Sequence, residues 1–166
     1  MANYAVAASA NDGYVGTTND TAGNELRAEY SVVSGEVTAG FADIDTSAIG
    51  TDTISAATLW FYHVGYTLTT PALGRRRIIR VGGTTILDTT VSAGTAGWKS
   101  EALTAGELAL INKTGTTRVL FDVDDPGAGG RLWRLQAWDY SDHSRACYLA
   151  VTHAPAGGPT KFSILR

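Results

Sequence analysis

Apolar and polar positions alternate along most of this chain with a period of two, the spacing of a β-strand with one face buried. The clearest instance is "ISAATLWFYHVGY", Ile54 to Tyr66, where Ala57, Leu59 and Phe61 fall on one face and Thr58, Trp60, Tyr62 and Val64 on the other. The same pattern predicts strands over Tyr4–Ala8, Gly13–Thr17, Glu25–Val33, Val37–Ile44, Ala56–Thr67, Arg76–Val81, Thr85–Thr90, Trp98–Ala102, Thr117–Val123, Leu132–Asp139 and Arg145–His153. Between them stand "NDG", "TAGN", "SG", "PALG", "GG", "SAGTAG" and "DDPGAGG", clusters of the residues that punctuate sheets. So many strands exceed what one flat sheet usually holds, and the expected fold is all-β: a two-sheet antiparallel β-sandwich, or jelly roll. One short helix is predicted in "LTAGELALINK", with Thr104 as cap, Glu107 reaching back to it, and Leu103, Leu108 and Ile111 as its apolar stripe.

At 166 residues the chain suits one ordinary domain, expected over residues 1–155. Two Pro and two Gly then break the last strand in "APAGGPTKFSILR", and residues 156–166 read as an extended arm. Phe162, Ile164 and Leu165 would tether that arm, either to its own domain or to another chain.

A net charge of -3 with only 17% charged residues carries no electrostatic footprint for nucleic acid or an anionic membrane surface. No run approaches the roughly 18 apolar residues of a membrane-spanning helix. The opening "MANYAVAASANDGY" has neither the basic start nor the apolar core of a secretion signal, so the expectation is a complete product made in a cytoplasm. The single cysteine, Cys147, sits in the apolar run "ACYLAV" and reads as a small buried hydrophobe.

Candidate chemistry is sparse. His63, His143 and His153 lack the spacing of a metal site, and "SDHS" places Ser141, Asp142, His143 and Ser144 too close in sequence for a triad, which draws on distant segments. Asp122, Asp124 and Asp125 precede a Pro-Gly turn without the spacing of a calcium loop. Asp43 and Asp45 share a strand face and are a poor pair for flanking a sugar from opposite sides. In "GRRRIIR", Arg75, Arg77 and Ile79 alternate with Arg76, Ile78 and Arg80; the cluster reads as a charged edge with Asp88 across the "VGGTT" hairpin as a neighbour. No catalytic residue, cofactor or metal is expected.

The aromatic residues are more informative. "RLWRLQAWDY" puts Trp133 and Trp138 on opposite faces and ends in Tyr140, so with Trp60 and Tyr62 at least two strands carry large aromatics where a sandwich would be polar. A sugar platform, a subunit interface, or a layer covering that sheet would each account for Trp60, Tyr62, Trp133, Trp138 and Tyr140. Interfaces favour Trp, Tyr and Arg, and need no polar partners for sugar hydroxyls.

Two stretches resemble the DNRLRE-type domains, jelly-roll β-sandwiches related to carbohydrate-binding modules and found in bacterial surface proteins and virion proteins of tailed phages. In "GFADIDTSAIGTDTISAATLWFYH" the matching positions are Phe41, Asp43, Ile44, Ile54, Ser55, Ala56, Leu59 and Tyr62. In "RACYLAVTHAP" they are Arg145, Tyr148, Leu149, Val151 and Thr152, with Cys147 and His153 replacing the family's Pro and Tyr. The signature hexapeptide itself is absent. The resemblance implies a non-catalytic binding or structural role. The expectation is a structural virion protein, a head decoration or tail or fibre component, that assembles as a homotrimer or homodimer and with other virion proteins. The alternative is a carbohydrate-binding module presenting an aromatic platform to a glycan.

Overall fold

A computed structural model describes residues 2–5, 12–16, 25–31, 36–68, 75–91, 94–123, 130–137 and 144–157. Within these are eleven strands: β1 (Ala2–Ala5), β2 (Asp12–Gly16), β3 (Glu25–Ser31), β4 (Glu36–Asp45), β5 (Thr53–Leu68), β6 (Arg75–Val81), β7 (Thr84–Val91), β8 (Gly97–Ala102), β9 (Thr116–Asp122), β10 (Arg131–Gln136) and β11 (Tyr148–Ala154). Each overlaps one of the eleven segments expected from the alternation.

All the strand pairs are antiparallel and join into one hydrogen-bonded sheet, ordered β1-β11-β5-β10-β3-β4-β9-β6-β7, with β2 branching from β4 and β8 from β5. This sheet is curled. Phe61 on β5 and Phe121 on β9 stand four strands apart in the order, which is roughly 19 Å in a flat sheet. Their ring centroids are 5.5 Å apart, and Trp133 from β10 packs edge-to-face on both at 5.8 and 5.6 Å. The sheet therefore closes its inner face on itself, and these three rings fill the middle of the core.

The long β5 organises one side of the molecule. Leu59 pairs with Glu101 of β8 and with Leu149 of β11, while His63 pairs with Gly97 of β8 and with Leu135 of β10. Hence β8 lies along one edge of β5, and β10 and β11 lie end to end along the other. The chain leaves that edge at Ala137 and returns at Tyr148, in effect one strand interrupted by an excursion. Along β5 the inward parity is that read from the sequence: Ala57, Leu59 and Phe61 are buried, and His63 joins them.

The β6–β7 hairpin turns on Gly82 and Gly83, at φ 54° and 86°, the pair of left-handed residues that a two-residue hairpin requires. Arg76 of β6 then forks onto Asp88 of β7 through two 2.6 Å hydrogen bonds, the neighbour expected from the sequence.

The expected helix is a correction. Instead of two or three α-turns there is one 3-10 turn, Glu107–Leu110. Glu107 does reach back to the Thr104 N–H at 2.7 Å, but no side-chain hydroxyl caps the turn. Leu103 is claimed by the sheet, since its N–H donates to Ala57 at 2.9 Å, and Ile111 is already extended. Too few residues remain for an α-helix, whose nucleation is unfavourable at that length. Residues 158–166, with Phe162, Ile164 and Leu165 of the expected arm, lie outside the described residues.

Candidate functional site

On the outer face of β5, β8 and β11 the register gathers aromatic side chains from three strands. Trp60 is flanked by Ser100 of β8 and Tyr148 of β11, and Tyr62 by Trp98 of β8. Directly opposed residues on antiparallel strands bring their Cβ atoms to about 5 Å. The rings accordingly touch. Trp60 and Tyr148 lie nearly parallel, 6.2 Å between centroids and 10° between planes, while Trp98 meets Tyr62 at 5.7 Å and Tyr148 at 5.5 Å edge-to-face. Arg145, from the excursion between β10 and β11, places its guanidinium 4.4 Å over the Tyr62 ring.

This packing answers why β5 is apolar on both sides. Trp60, Tyr62 and Tyr148 are half-buried because they cover one another and Arg145 covers Tyr62. Trp98 remains 38% exposed, the sole large hydrophobic so exposed among the described residues. Edge-to-face contacts and a cation over a ring each contribute on the order of 1 kcal/mol. Burial raises the Tyr148 phenol above its ordinary pKa, so it stays a neutral donor.

Trp133 does not belong to this surface. It is fully buried, and its indole N–H donates to Nδ1 of His63 at 3.1 Å. Alternation along β10 separated Trp133 from its neighbours' face correctly but could not say which face is the core. Trp138 and Tyr140 lie outside the described residues. Sequence reasoning missed Trp98 and Tyr148 as partners of Trp60 and Tyr62. Their own strands were legible, but the register that unites them is a tertiary fact.

The acidic candidates are engaged in structural bonds. Asp43 takes Arg118 in a fork of 2.7 and 2.6 Å, and Asp45 is held below the usual carboxylate range by the Ser47 side chain first and then by the Ser47 N–H, which donates to it at 2.9 Å. Asp122 pairs with Arg80 and caps the Val123 N–H. Asp124, Asp125, Asp142 and His143 lie outside the described residues; within them no group of three His, Cys, Asp or Glu converges as a metal site would require. No helix among the described residues is long and apolar enough to cross a membrane.

One polar chain was not anticipated. His153 on β11 bonds Asp52 through Nδ1 at 2.7 Å and the Tyr4 hydroxyl through Nε2 at 3.0 Å. It links the first strand to the start of β5. Nearby, Thr53, Ile54, Leu108, Ala109, Ile111 and Lys113 line a mostly apolar cavity of about 380 Å³, whose Lys113 ammonium already donates to the Asp52 carbonyl at 2.9 Å.

No family model matches this sequence, and no curated protein matches it either.

Proposed function

We propose that this chain is a non-catalytic structural component of a tailed-phage particle, a head decoration or a tail or fibre part, working through its aromatic outer face. The curled sheet then corresponds to the two-layered jelly roll of the DNRLRE-type domains. The observation that carries the reading is the outer cluster of Trp60, Tyr62, Trp98 and Tyr148 with Arg145, which presents the residue types that dominate protein contacts. A second copy of the chain is its first partner, as a symmetric dimer or trimer that buries Trp98, with other virion proteins beyond it.

Light scattering on size-separated protein tests this. An oligomer that dissociates on Trp98→Ser, with the melting temperature of the dissociated chain little changed, supports the reading; a strict monomer at high concentration, unaltered by the substitution, counts against it. Mass spectrometry of purified particles then locates the chain.

A glycan-binding module is the second reading, favoured by the near-parallel Trp60 and Tyr148 rings. Against it, the rings spend much of their area on one another and Arg145 occupies a face of Tyr62. Glycan-array hits abolished by Trp98→Ala would displace the assembly reading.

A further inference from the structure

β11 delivers the chain to the edge of the cavity. Its last two residues, His153 and Ala154, pair with Ile54 and Thr53 of β5, and those two line the cavity with Leu108, Ala109, Ile111 and Lys113. Ile54 and Leu108 each pack against the core as well, and Ala109 is exposed. The volume, about 380 Å³, is more than twice the roughly 150 Å³ that admits a benzene ring. An ammonium has three N–H donors, and Lys113 has given one to the Asp52 carbonyl, so it can serve a second backbone carbonyl. Such a lining suits apolar side chains carried on a peptide.

Beyond Ala154 the chain turns at Ala156–Gly157, with Gly157 at φ 81°, a left-handed conformation that glycine adopts without strain. Residues 158–166, "GPTKFSILR", follow. Cross-strand partners lie about 5 Å apart and three residues span at most about 11 Å, so Gly157 stands within about 16 Å of Thr53. The five residues from Gly157 to Phe162 reach up to about 18 Å. The first apolar residue after the break can therefore return to the cavity whichever way the turn points. In an extended segment Phe162 and Ile164 share a face, which gives two apolar side chains for a space of this size.

We propose that residues 158–166 fold back on their own chain and seat Phe162 and Ile164 in this cavity, between the start of β5 and the Glu107–Leu110 turn. A spacer of five residues holds the segment at an effective concentration on the order of millimolar, which a foreign ligand or a second copy would have to exceed. The segment is thus part of the domain it follows. Assembly contacts then fall to the Trp98 face, and the docking stands whether or not that face makes them.

The test introduces Ala109→Cys with Ser163→Cys into the full chain and follows disulfide formation in a glutathione buffer at low protein concentration, by intact mass and non-reducing electrophoresis. The native Cys147 is buried and stays out of the reaction. Thr90→Cys, at an exposed position near the far end of β7 from the hairpin turn, replaces Ala109→Cys in the control pair. Expected is a cross-link within one chain, formed about tenfold or more faster than in the control, and slowed to the control rate by Phe162→Ser with Ile164→Ser. A second measurement needs no change to the cavity: Phe162→Ser alone should move the methyl resonances of Ile54 and Leu108 and leave that of the core residue Val119 in place. Equal rates in the two cysteine pairs, a fast cross-link that ignores the Phe162 and Ile164 substitutions, or unmoved Ile54 and Leu108 methyls overturn the proposal. A cross-link that joins two chains and speeds up with concentration gives the cavity to a second copy and overturns it equally.

Discussion

Trp133 on β10 and His63 on β5 are joined by a 3.1 Å hydrogen bond inside the core, across the irregular register at Arg134 and Leu135. The largest buried side chain thereby satisfies its one polar atom with the buried imidazole. Trp133→Phe keeps most of the packing against Phe61 and Phe121 but leaves Nδ1 without a donor, and should cost about 1–3 kcal/mol. Trp133→Ala also opens a cavity and should cost about 3–5 kcal/mol. Trp98→Ala, which loses two edge-to-face contacts at the surface, should cost the isolated chain about 1–2 kcal/mol. Urea unfolding followed by circular dichroism ranks the three.

The same bond predicts a pH dependence. Burial first, then the charge of Arg77, depresses His63 below its ordinary value of 6.5, with Lys99 adding to the effect and the Gly94 backbone opposing it. In the unfolded chain the imidazole takes up a proton below about pH 6.5, whereas the folded one resists, so the unfolded state binds more protons and stability falls as the solution is acidified. Above that pH the contribution is constant. His63→Gln, whose carbonyl still accepts from Trp133, should flatten the acid limb by up to about 1.4 kcal/mol per pH unit, the one-proton limit. Unfolding free energies from pH 8 to 5 in both proteins give the difference, in which the other histidines cancel.

Cys147 is buried, and its thiol is driven well above the usual range by desolvation and, secondarily, by the Asp12 carboxylate. Only the thiolate is a useful nucleophile, so native protein should resist maleimide at neutral pH and react fully in denaturant. Labelling followed by intact mass over a urea series should track global unfolding. Rapid labelling of the native chain would contradict this packing.

What was legible in the sequence follows from locality. Alternation placed the strands, the inward parity of Ala57, Leu59 and Phe61, and the Gly82–Gly83 hairpin, because each depends on residues close in the chain. Asp88 could be matched to Arg76 because a two-residue turn determines register. Beyond that reach the inference stops. Trp133 and Trp60 are both strand tryptophans, and only the curl of the sheet decides that one is core and the other surface. The Leu103, Leu108 and Ile111 stripe suggested a helix until the sheet's own hydrogen bond to Leu103 took its first turn. Trp98, Tyr148 and the Tyr4–His153–Asp52 chain depend on pairings between segments 36 to 149 residues apart, which no local pattern encodes.

That last chain should behave as a clamp on the first strand. β1 is four residues long and, among the described residues, pairs with β11 alone, so that ladder holds it weakly. Tyr4 adds a hydroxyl bond to His153, which Asp52 orients from the start of β5. In the neutral ring the Nδ1–H donates to Asp52 and Nε2 accepts from the Tyr4 hydroxyl. Tyr4→Phe should therefore cost about 0.5–1.5 kcal/mol, and His153→Ala more. In the double variant the losses should add to less than their sum, because each removes the same bond. The readout that separates a clamp from a merely packed phenol is local: the amides of Asn3 and Ala5 should exchange about tenfold faster in both single variants, with the amides of β9 unchanged. At high pH the sign reverses from the histidine case. Burial, then Asp52, raises the Tyr4 pKa, so above about pH 10 the unfolded chain ionises first and the clamp's contribution is lost as pH climbs. Phenolate absorbance should therefore show one tyrosine fewer in Tyr4→Phe among those that titrate late. If the amides of Asn3 and Ala5 exchange no faster in either variant, the three side chains are neighbours without a holding role.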